Sequence, residues 1–447
     1  MPPTAPTTAE VQDAPPLTVE LDEVLVRTDT LHEGLLCLLK RRPHLLPLVP
    51  GWALRGRAFL RAEVARRTEL DLARLPYDEA LLARLREERA SGRRLVLATR
   101  ADRRIAESVA THLGLFDAVH ASDGTRELSG AHREARLKEA LGGRFEELSH
   151  PGPRSPGPRT LLRAMRVHQW AKNVLVLVPM MAAHKLLEGA LLSRALLGFL
   201  AFSLCASSVY VLNDLLDLDA DRQHPTKRRR PFASGELPVR TGLWLAPTLL
   251  AMGGAVASLL PPSFLLLLAT YYLTTLGYSL YLKQVMMLDV LVLAGLYTVR
   301  IFGGSLAVGV PTSDWLLTFS MFLFLSLALV KRLSEVRRLR QEEQQAAPGR
   351  GYGASDYELL ASLGVSSGYL SVLVLALYIT SREVTALYTH PQRLWLLCPL
   401  MLYWVGRIWM LAHRGEVNED PLVFALEDKV SYGVGLLAVG VLWVATL

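Results

Sequence analysis

A chain of 447 residues that is 51% hydrophobic, only 20% charged and positive in mean hydropathy is too apolar for an ordinary soluble protein. Its formal net charge of +7 fits contact with an anionic membrane leaflet, and no RNA- or DNA-binding motif accompanies it. The three cysteines, Cys37, Cys205 and Cys398, stand too far apart for a metal motif, and a disulfide framework is not expected.

The first thirty residues carry Pro, Asp and Glu where a signal peptide needs an apolar core, so none is expected. Residues 1–150, rich in Arg and Glu, read as a soluble domain. Thr18–Leu25 and Arg94–Thr99 are strand-like, and helical stretches fall near 78–92, 101–113 and 131–141, an alternating α/β pattern. These segments resemble the haloacid dehalogenase-like phosphatase fold, whose first strand ends in Asp-x-Asp-Gly-Thr. The resemblance puts Glu20 at the nucleophile, Asp22 at the acid/base, Glu23-Val24 in place of Gly-Thr, Thr99 at the second motif and Lys138 at the third. The fourth motif, a Gly-Asp pair, is missing after Phe145. Glu at the nucleophile position is one methylene too long for in-line attack, so a degenerate domain without phosphatase activity is expected.

Residues 151–160 are a Pro/Gly-rich linker, and 161–447 form the membrane part. Nine apolar spans are predicted near 173–189, 191–215, 240–259, 263–282, 288–308, 313–334, 366–382, 393–412 and 430–446. The connections after spans two, four, six and eight hold most of the Lys and Arg, which places them, and the soluble domain, on the cytoplasmic side of a bacterial-type inner membrane. Arg300 lies inside the fifth span, where an ionisable group needs a partner or a water-filled cavity; a cavity-facing Arg300 is expected.

The most informative run closes the second span: Asn213-Asp214-x-x-Asp217-x-x-x-Asp221, followed by His224-Pro225-Thr226-Lys227-Arg228-Arg229-Arg230-Pro231. On a helix Asp214, Asp217 and Asp221 share one face, and bare carboxylates on one stripe near lipid repel one another. A divalent cation among them removes that cost. Hard oxygen donors filling part of a shell suit Mg²⁺, with phosphate and water completing it. The basic run suits the remaining phosphate charge. A solvated helix end with membrane anchors accounts for the basic residues but not for the carboxylate spacing.

With the lead-in Arg166-x-x-Gln169-Trp170-x-Lys172-Asn173 and the pair Tyr278-x-x-x-x-Lys283, this run resembles the UbiA superfamily of intramembrane prenyltransferases from about Leu161 to Leu447. The resemblance implies an all-α bundle of nine transmembrane helices that binds Mg²⁺ and a diphosphate. It implies Asp214, Asp217 and Asp221 as metal ligands and catalytic groups with Lys283. Asn213, Lys227, Arg228, Tyr278, Lys172, Lys331, Arg332 and Asp356 become substrate contacts, Asp356 also a candidate second metal ligand. Many members carry a second Asp-x-x-x-Asp after helix six. Here that connection reads Lys331-Arg332-x-x-Glu335 and Arg350-Gly351-Tyr352-x-x-x-Asp356, closer to the branch of decaprenyl-phosphate phosphoribosyltransferases. The implied partners are a polyprenyl lipid, a diphosphate donor and membrane lipid. Prenyl transfer and phosphoribosyl transfer to a polyprenyl phosphate both stay open. A cation-binding transporter is the non-enzymatic alternative, disfavoured because coupling-ion sites usually lie near the bilayer midplane.

Overall fold

The computed structural model describes residues 14–148, 157–341, 351–417 and 421–447. Arg350, Glu419, Asp420 and most of the Pro-rich linker lie outside the described residues. The chain divides into two compact units, one of residues 1–165 with 210–247 and the other of 166–209 with 248–447. The aspartate run therefore packs in one unit with the N-terminal region, a grouping that a boundary drawn at the linker does not convey.

In the first unit, β1 (Leu17–Val19), β2 (Leu95–Asp102), β3 (Ala118–Ser122) and β4 (Glu146–Glu147) form a parallel sheet in the order β3-β2-β1-β4. Leu17, Val19, Leu95 and Leu97 are fully buried and pack with Leu85, Ala106 and Val109 from the covering helices. Alternate burial is absent along β2 because a parallel sheet between helices hides both faces. The helices lie close to the predicted stretches, at Glu79–Ala90, Arg103–Leu113 and Gly130–Ala140. Asp78 caps the first by accepting from Leu81 N–H, and Gly114, at φ 63°, ends the second in the left-handed conformation that glycine adopts without strain. The first strand is shorter than the run Thr18–Leu25. Leu25 N–H donates to Glu20 O and Val26 N–H to Leu21 O, so the chain turns instead of extending.

Seven helices among the described residues are long and apolar enough to cross a membrane: Gly189–Leu216, Pro262–Leu280, Leu288–Val308, Asp314–Gln341, Ala354–Ile379 (its first turn 3₁₀), Pro391–Arg414 and Lys429–Thr446. Leu266, Leu273, Leu436 and Trp443 are each at least 64% exposed on them, which suits lipid and not water. Two of the nine expected spans differ. Residues 173–189 do not form one helix: 3₁₀ turns over Val167–Leu177 lead into the short Val178–Ala182, where Pro179 lacks an N–H and Asn173 is tied sideways to Ser203 and Arg300. Residues 240–259 do form a helix, Val239–Ala257, but Arg240, Pro247 and paired glycines at 253–254 dilute its apolar length.

The sixth predicted span ends too early. The helix runs through Lys331 and Arg332 to Gln341, 28 residues or about 42 Å, longer than the hydrocarbon core. The basic residues expected in a connection therefore sit on a rigid helical extension, built from the strong helix formers Leu, Glu, Arg and Gln.

Candidate active site

The aspartate run straddles a break. Helix Gly189–Leu216 stops, Asp217 takes φ −98° and ψ 13°, and Leu218–Gln223 resumes as a short helix. Asp217 N–H still donates to Asn213 O and Asp221 N–H to Asp217 O, so the helical register survives and the three aspartates keep nearly one face. Asp214 and Asp221 are 2% and 4% exposed, whereas Asp217 is half-buried.

One cation joins the buried pair. Arg230 Nη1 donates to Asp214 Oδ1 at 3.2 Å and to Asp221 Oδ2 at 2.6 Å. Lys227 and Arg228 were expected as phosphate contacts. Arg228 is exposed, Lys227 is half-buried in the 3₁₀ turn Lys227–Arg229, and the turn carries Arg230 back to the carboxylates. No group of three or more His, Cys, Asp or Glu side chains converges on one point among the described residues. The described residues thus offer a buried pair of carboxylates bridged by Arg230. Such a set fits Mg²⁺, which is bound by one or two carboxylates and completes its octahedron with phosphate and water oxygens.

The second unit holds its own polar constellations. Arg332, fully buried, donates through Nε to Asp289 Oδ2 at 2.5 Å, through Nη2 to Tyr278 OH at 3.0 Å and through Nη1 to Glu335. Tyr352 OH donates to Asp289 Oδ1 at 2.6 Å and accepts from Met287 N–H at 2.9 Å. Gly351 has backbone so close to Gln284 O that a Cβ would lie 2.9 Å from it, which seats Gly351-Tyr352 against the Tyr278–Lys283 exit. Arg332 and Tyr278, both expected as substrate contacts, are therefore bonded to each other. Asp356 Oδ2 accepts from Gly353 N–H at 2.8 Å and caps the turn that opens helix Tyr357–Ile379. Lys331 and Lys283 are half-buried.

Arg300 is also partnered, not cavity-facing. It is 5% exposed, and it donates to Asn173 Oδ1 and Tyr271 OH, each at 2.8 Å, and to Leu296 O. Its guanidinium sits 5.0 Å from the Tyr271 ring centroid and 5.4 Å from that of Tyr297, and Lys172 Nζ, itself buried, lies 5.9 Å from Tyr297. Asn173 Nδ2 donates to Ser203 at 3.0 Å, so the lead-in is bound to helix Gly189–Leu216. Between helices Leu288–Val308 and Asp314–Gln341, an open groove of about 410 Å³ is lined by Gly295, Val299, Leu317, Met321 and Phe322, with Thr298 and Thr318.

In the N-terminal α/β region, the residues that the resemblance put at phosphatase motifs each have partners within the fold. Glu20 Oε1 accepts from Thr99 Oγ1 and from Leu21 and Arg100 N–H at 3.2 and 3.3 Å, with Arg133 Nη2 4.0 Å from its other oxygen. Burial raises the Glu20 carboxyl above its ordinary value against the pull of Thr99 and Arg133. Lys138 is elsewhere, exposed and paired with Glu134. Asp22 accepts from Thr30 N–H and from Arg61 Nη1, both at 2.8 Å, and Arg61 Nη2 also donates to Asp29 Oδ2 at 3.1 Å.

One guanidinium neutralises one carboxylate, so the second pays for its burial by keeping a proton. Burial and the Asp29 charge push the Asp22 carboxyl up to about 7, while Arg61 and His32 hold Asp29 low despite its burial. From about pH 4 to about pH 7 the folded state keeps a proton that the unfolded chain has lost, so this group's stabilising contribution falls as pH rises across that window. Asp22→Asn retains an acceptor for Thr30 and cannot ionise. Its melting temperature relative to the parent, measured on full-length protein in detergent, is expected to be higher at about pH 8 than at about pH 5. An equal difference at both pH values would show Asp22 ionised throughout.

The described fold is a helical integral membrane protein with a small parallel α/β region ahead of it. The chain belongs to the UbiA prenyltransferase family of membrane transferases, matching it over residues 174–426. It is 35% identical to an uncharacterized protein of Sinorhizobium fredii, over 94% of this chain and 89% of that one. It is 37% identical over 187 residues to the decaprenyl-phosphate phosphoribosyltransferase of Mycobacterium tuberculosis, a match covering 39% of this chain and 60% of that enzyme. Among solved structures it is similar to a UbiA homolog from Archaeoglobus fulgidus bound to DMAPP and Mg²⁺, at 17% identity and a TM-score of 0.49, covering 63% of this chain and 96% of that one.

Proposed function

We infer that this transferase is Mg²⁺-dependent and displaces diphosphate from a donor in a reaction with a polyprenyl substrate. The observation that carries the reading is the Asp214–Asp221 pair bridged by Arg230, at the end of a membrane-spanning helix and beside a basic turn. Bound there, Mg²⁺ would neutralise the charge that develops on the departing diphosphate. Asp214, Asp217 and Asp221 would hold it. Asn213, on the same helix, would orient a carboxylate or add a ligand. Arg230, already placed by the pair, would serve with Lys227 and Arg228 as the cationic partner of outer phosphate oxygens. The C1–O bond of the donor breaks with its electron pair going to diphosphate, and the acceptor forms the new bond to C1. Lys172, Tyr278 and Lys283 are proposed substrate contacts. The apolar groove lined by Val299 and Met321 suits an isoprenoid chain. The basic turn favours a cytoplasmic position for the aspartate segment and the soluble part with it.

A second reading, phosphoribosyl transfer to a polyprenyl phosphate, is favoured by two observations. One is the 37% identity to a decaprenyl-phosphate phosphoribosyltransferase. The other is that Glu335 and Asp356, the acids where many relatives have a second aspartate motif, are engaged by Arg332 and Gly353. The soluble part is read as a degenerate haloacid dehalogenase-like domain without phosphatase activity, since Glu20 is occupied by Thr99 and the backbone, and Asp22 by Arg61.

Mg²⁺-dependent pyrophosphate release by purified full-length protein separates the readings. Polyprenyl phosphate with phosphoribosyl diphosphate is set beside polyprenyl diphosphate with aromatic acceptors. Release with the first pair alone assigns phosphoribosyl transfer, and with the second alone prenyl transfer. Release with neither overturns the assignment. The same preparation is expected to free no phosphate from an aryl phosphate, and turnover there would restore a phosphatase role to the soluble part.

A further inference from the structure

The short helix that carries Asp221 is held by the soluble part. Leu218–Gln223 has six residues, too few to be stable alone, with the break at Asp217 on one side and the exposed His224–Thr226 turn on the other. Arg222 ties it to the N-terminal part. Nη2 donates to Glu33 Oε1 at 2.6 Å and Nη1 to Glu33 Oε2 at 3.2 Å, a two-pronged pair in which both side chains are at most 7% exposed. Glu33 stands in the first turn of helix Thr30–Arg41, and its Oε1 also accepts from Thr28 Oγ1 at 2.9 Å. Arg222 Nε reaches Ala233 O at 3.3 Å, at the far end of the basic loop. A single guanidinium therefore ties together the soluble part, the Asp221 helix and the loop that brings Arg230 to the carboxylates.

Two further contacts fix the same loop. Arg240 Nη2 lies 3.5 Å from Glu23 Oε1. Gly235, at φ 73°, meets Arg27 so closely that a Cβ would lie 2.6 Å from Arg27 Cβ, so only glycine serves there. Burying an ion pair is costly and adds little stability by itself, but it specifies one geometry. Here the specified geometry is that of residues 218–235.

We propose that the soluble part is a positioning module for the aspartate segment, acting through the Glu33–Arg222 pair to hold Asp221 and Arg230 ready for the metal-bound diphosphate. This rests on the diphosphate-transferase reading, and its test has one arm that does not. Full-length protein in membrane vesicles is compared with Glu33→Gln, Arg222→Gln and the exchange Glu33→Arg with Arg222→Glu. The first readout is limited tryptic cleavage after Lys227, Arg228 and Arg229, followed by mass spectrometry. The single variants are expected to be cut about tenfold faster, and the exchange to move back toward the parent. The second readout is pyrophosphate release. The half-saturating Mg²⁺ and donor concentrations are expected to rise about tenfold in the single variants, with the saturated rate falling less than about threefold, and the exchange to restore both. A purely structural pair would lower the amount of active protein and leave those concentrations unchanged. Cleavage and half-saturation equal to the parent in both single variants overturn the proposal. Should those variants fail to accumulate, Glu33→Asp, which keeps the charge and shortens the reach, decides by the same two readouts. Faster cleavage in variants of a protein that releases no pyrophosphate even as the parent would strike the transferase reading and leave the positioning intact.

Discussion

Asp217→Asn is expected to lower Mg²⁺-dependent turnover by roughly two to three orders of magnitude while the protein still inserts and folds. The fold is spared because the main chain of Asp217 does the structural part: its N–H donates to Asn213 O, and its carbonyl accepts from Asp221 N–H. The side chain is half-buried at the break between two helices, and Asn has the same shape. What Asn removes is a full negative charge beside the Asp214–Asp221 pair, and a hard divalent cation selects charged oxygen over amide oxygen. The control is Asp219→Asn. Asp219 lies on the same short helix but off the shared face, so its loss changes local charge equally and is expected to cost less than about twofold. Pyrophosphate release titrated with Mg²⁺ reads both variants. Equal losses would reduce the aspartates to bulk electrostatics, and near-parental turnover in Asp217→Asn would sink the metal assignment.

The stripe of aspartates was legible because it is local. A 3.6-residue period places Asp214, Asp217 and Asp221 together without any knowledge of the rest of the chain, and the backbone keeps that period across the break. Seven spans were legible for the same reason, since length and apolarity are properties of a window. The bridge from Arg230 to the carboxylates was not. Lys227, Arg228, Arg229 and Arg230 look alike as a basic run, and the place of Arg230 depends on a 3₁₀ turn that sends the chain back to the helix it left. Nor could a pattern reveal Glu33 with Arg222, 189 residues apart. Residues 173–189 were misread because an apolar run gives no sign that Asn173 is pulled aside by Ser203 and Arg300. One missed residue did leave a signal: Asp289 stands in the first turn of a spanning helix whose other charged residue, Arg300, lies turns further along, so a carboxylate there calls for a cation from another element.

Asp289→Ala is expected to destabilise the membrane part by up to about 3–5 kcal/mol, because it leaves the buried Arg332 with Glu335 as its remaining carboxylate partner. Arg332 and Asp289 side chains are 1% and 0% exposed, so water cannot take over. The loss spreads to Tyr352, whose OH donates to Asp289 and accepts from Met287 N–H. Met287 holds φ 65°, an unfavourable conformation for a residue with a Cβ, and that bond helps to keep it there. Through Tyr278 OH the same network reaches the Tyr278–Lys283 segment, so a substrate contact proposed at Lys283 stands on a support that Asp289 completes. Thermal melting of full-length protein in detergent, with Asp289→Asn and the double change Asp289→Ala with Arg332→Met alongside, separates charge from packing. Asn keeps one acceptor oxygen, for either Arg332 or Tyr352, and is expected to lose less than Ala. The double change removes the cation that has lost one of its two carboxylates, and Glu335, 27% exposed, can turn to water; most of the stability is expected to return. A double variant as unstable as Asp289→Ala alone would mean that the pair acts through its fit in the helix interface and not through its charge.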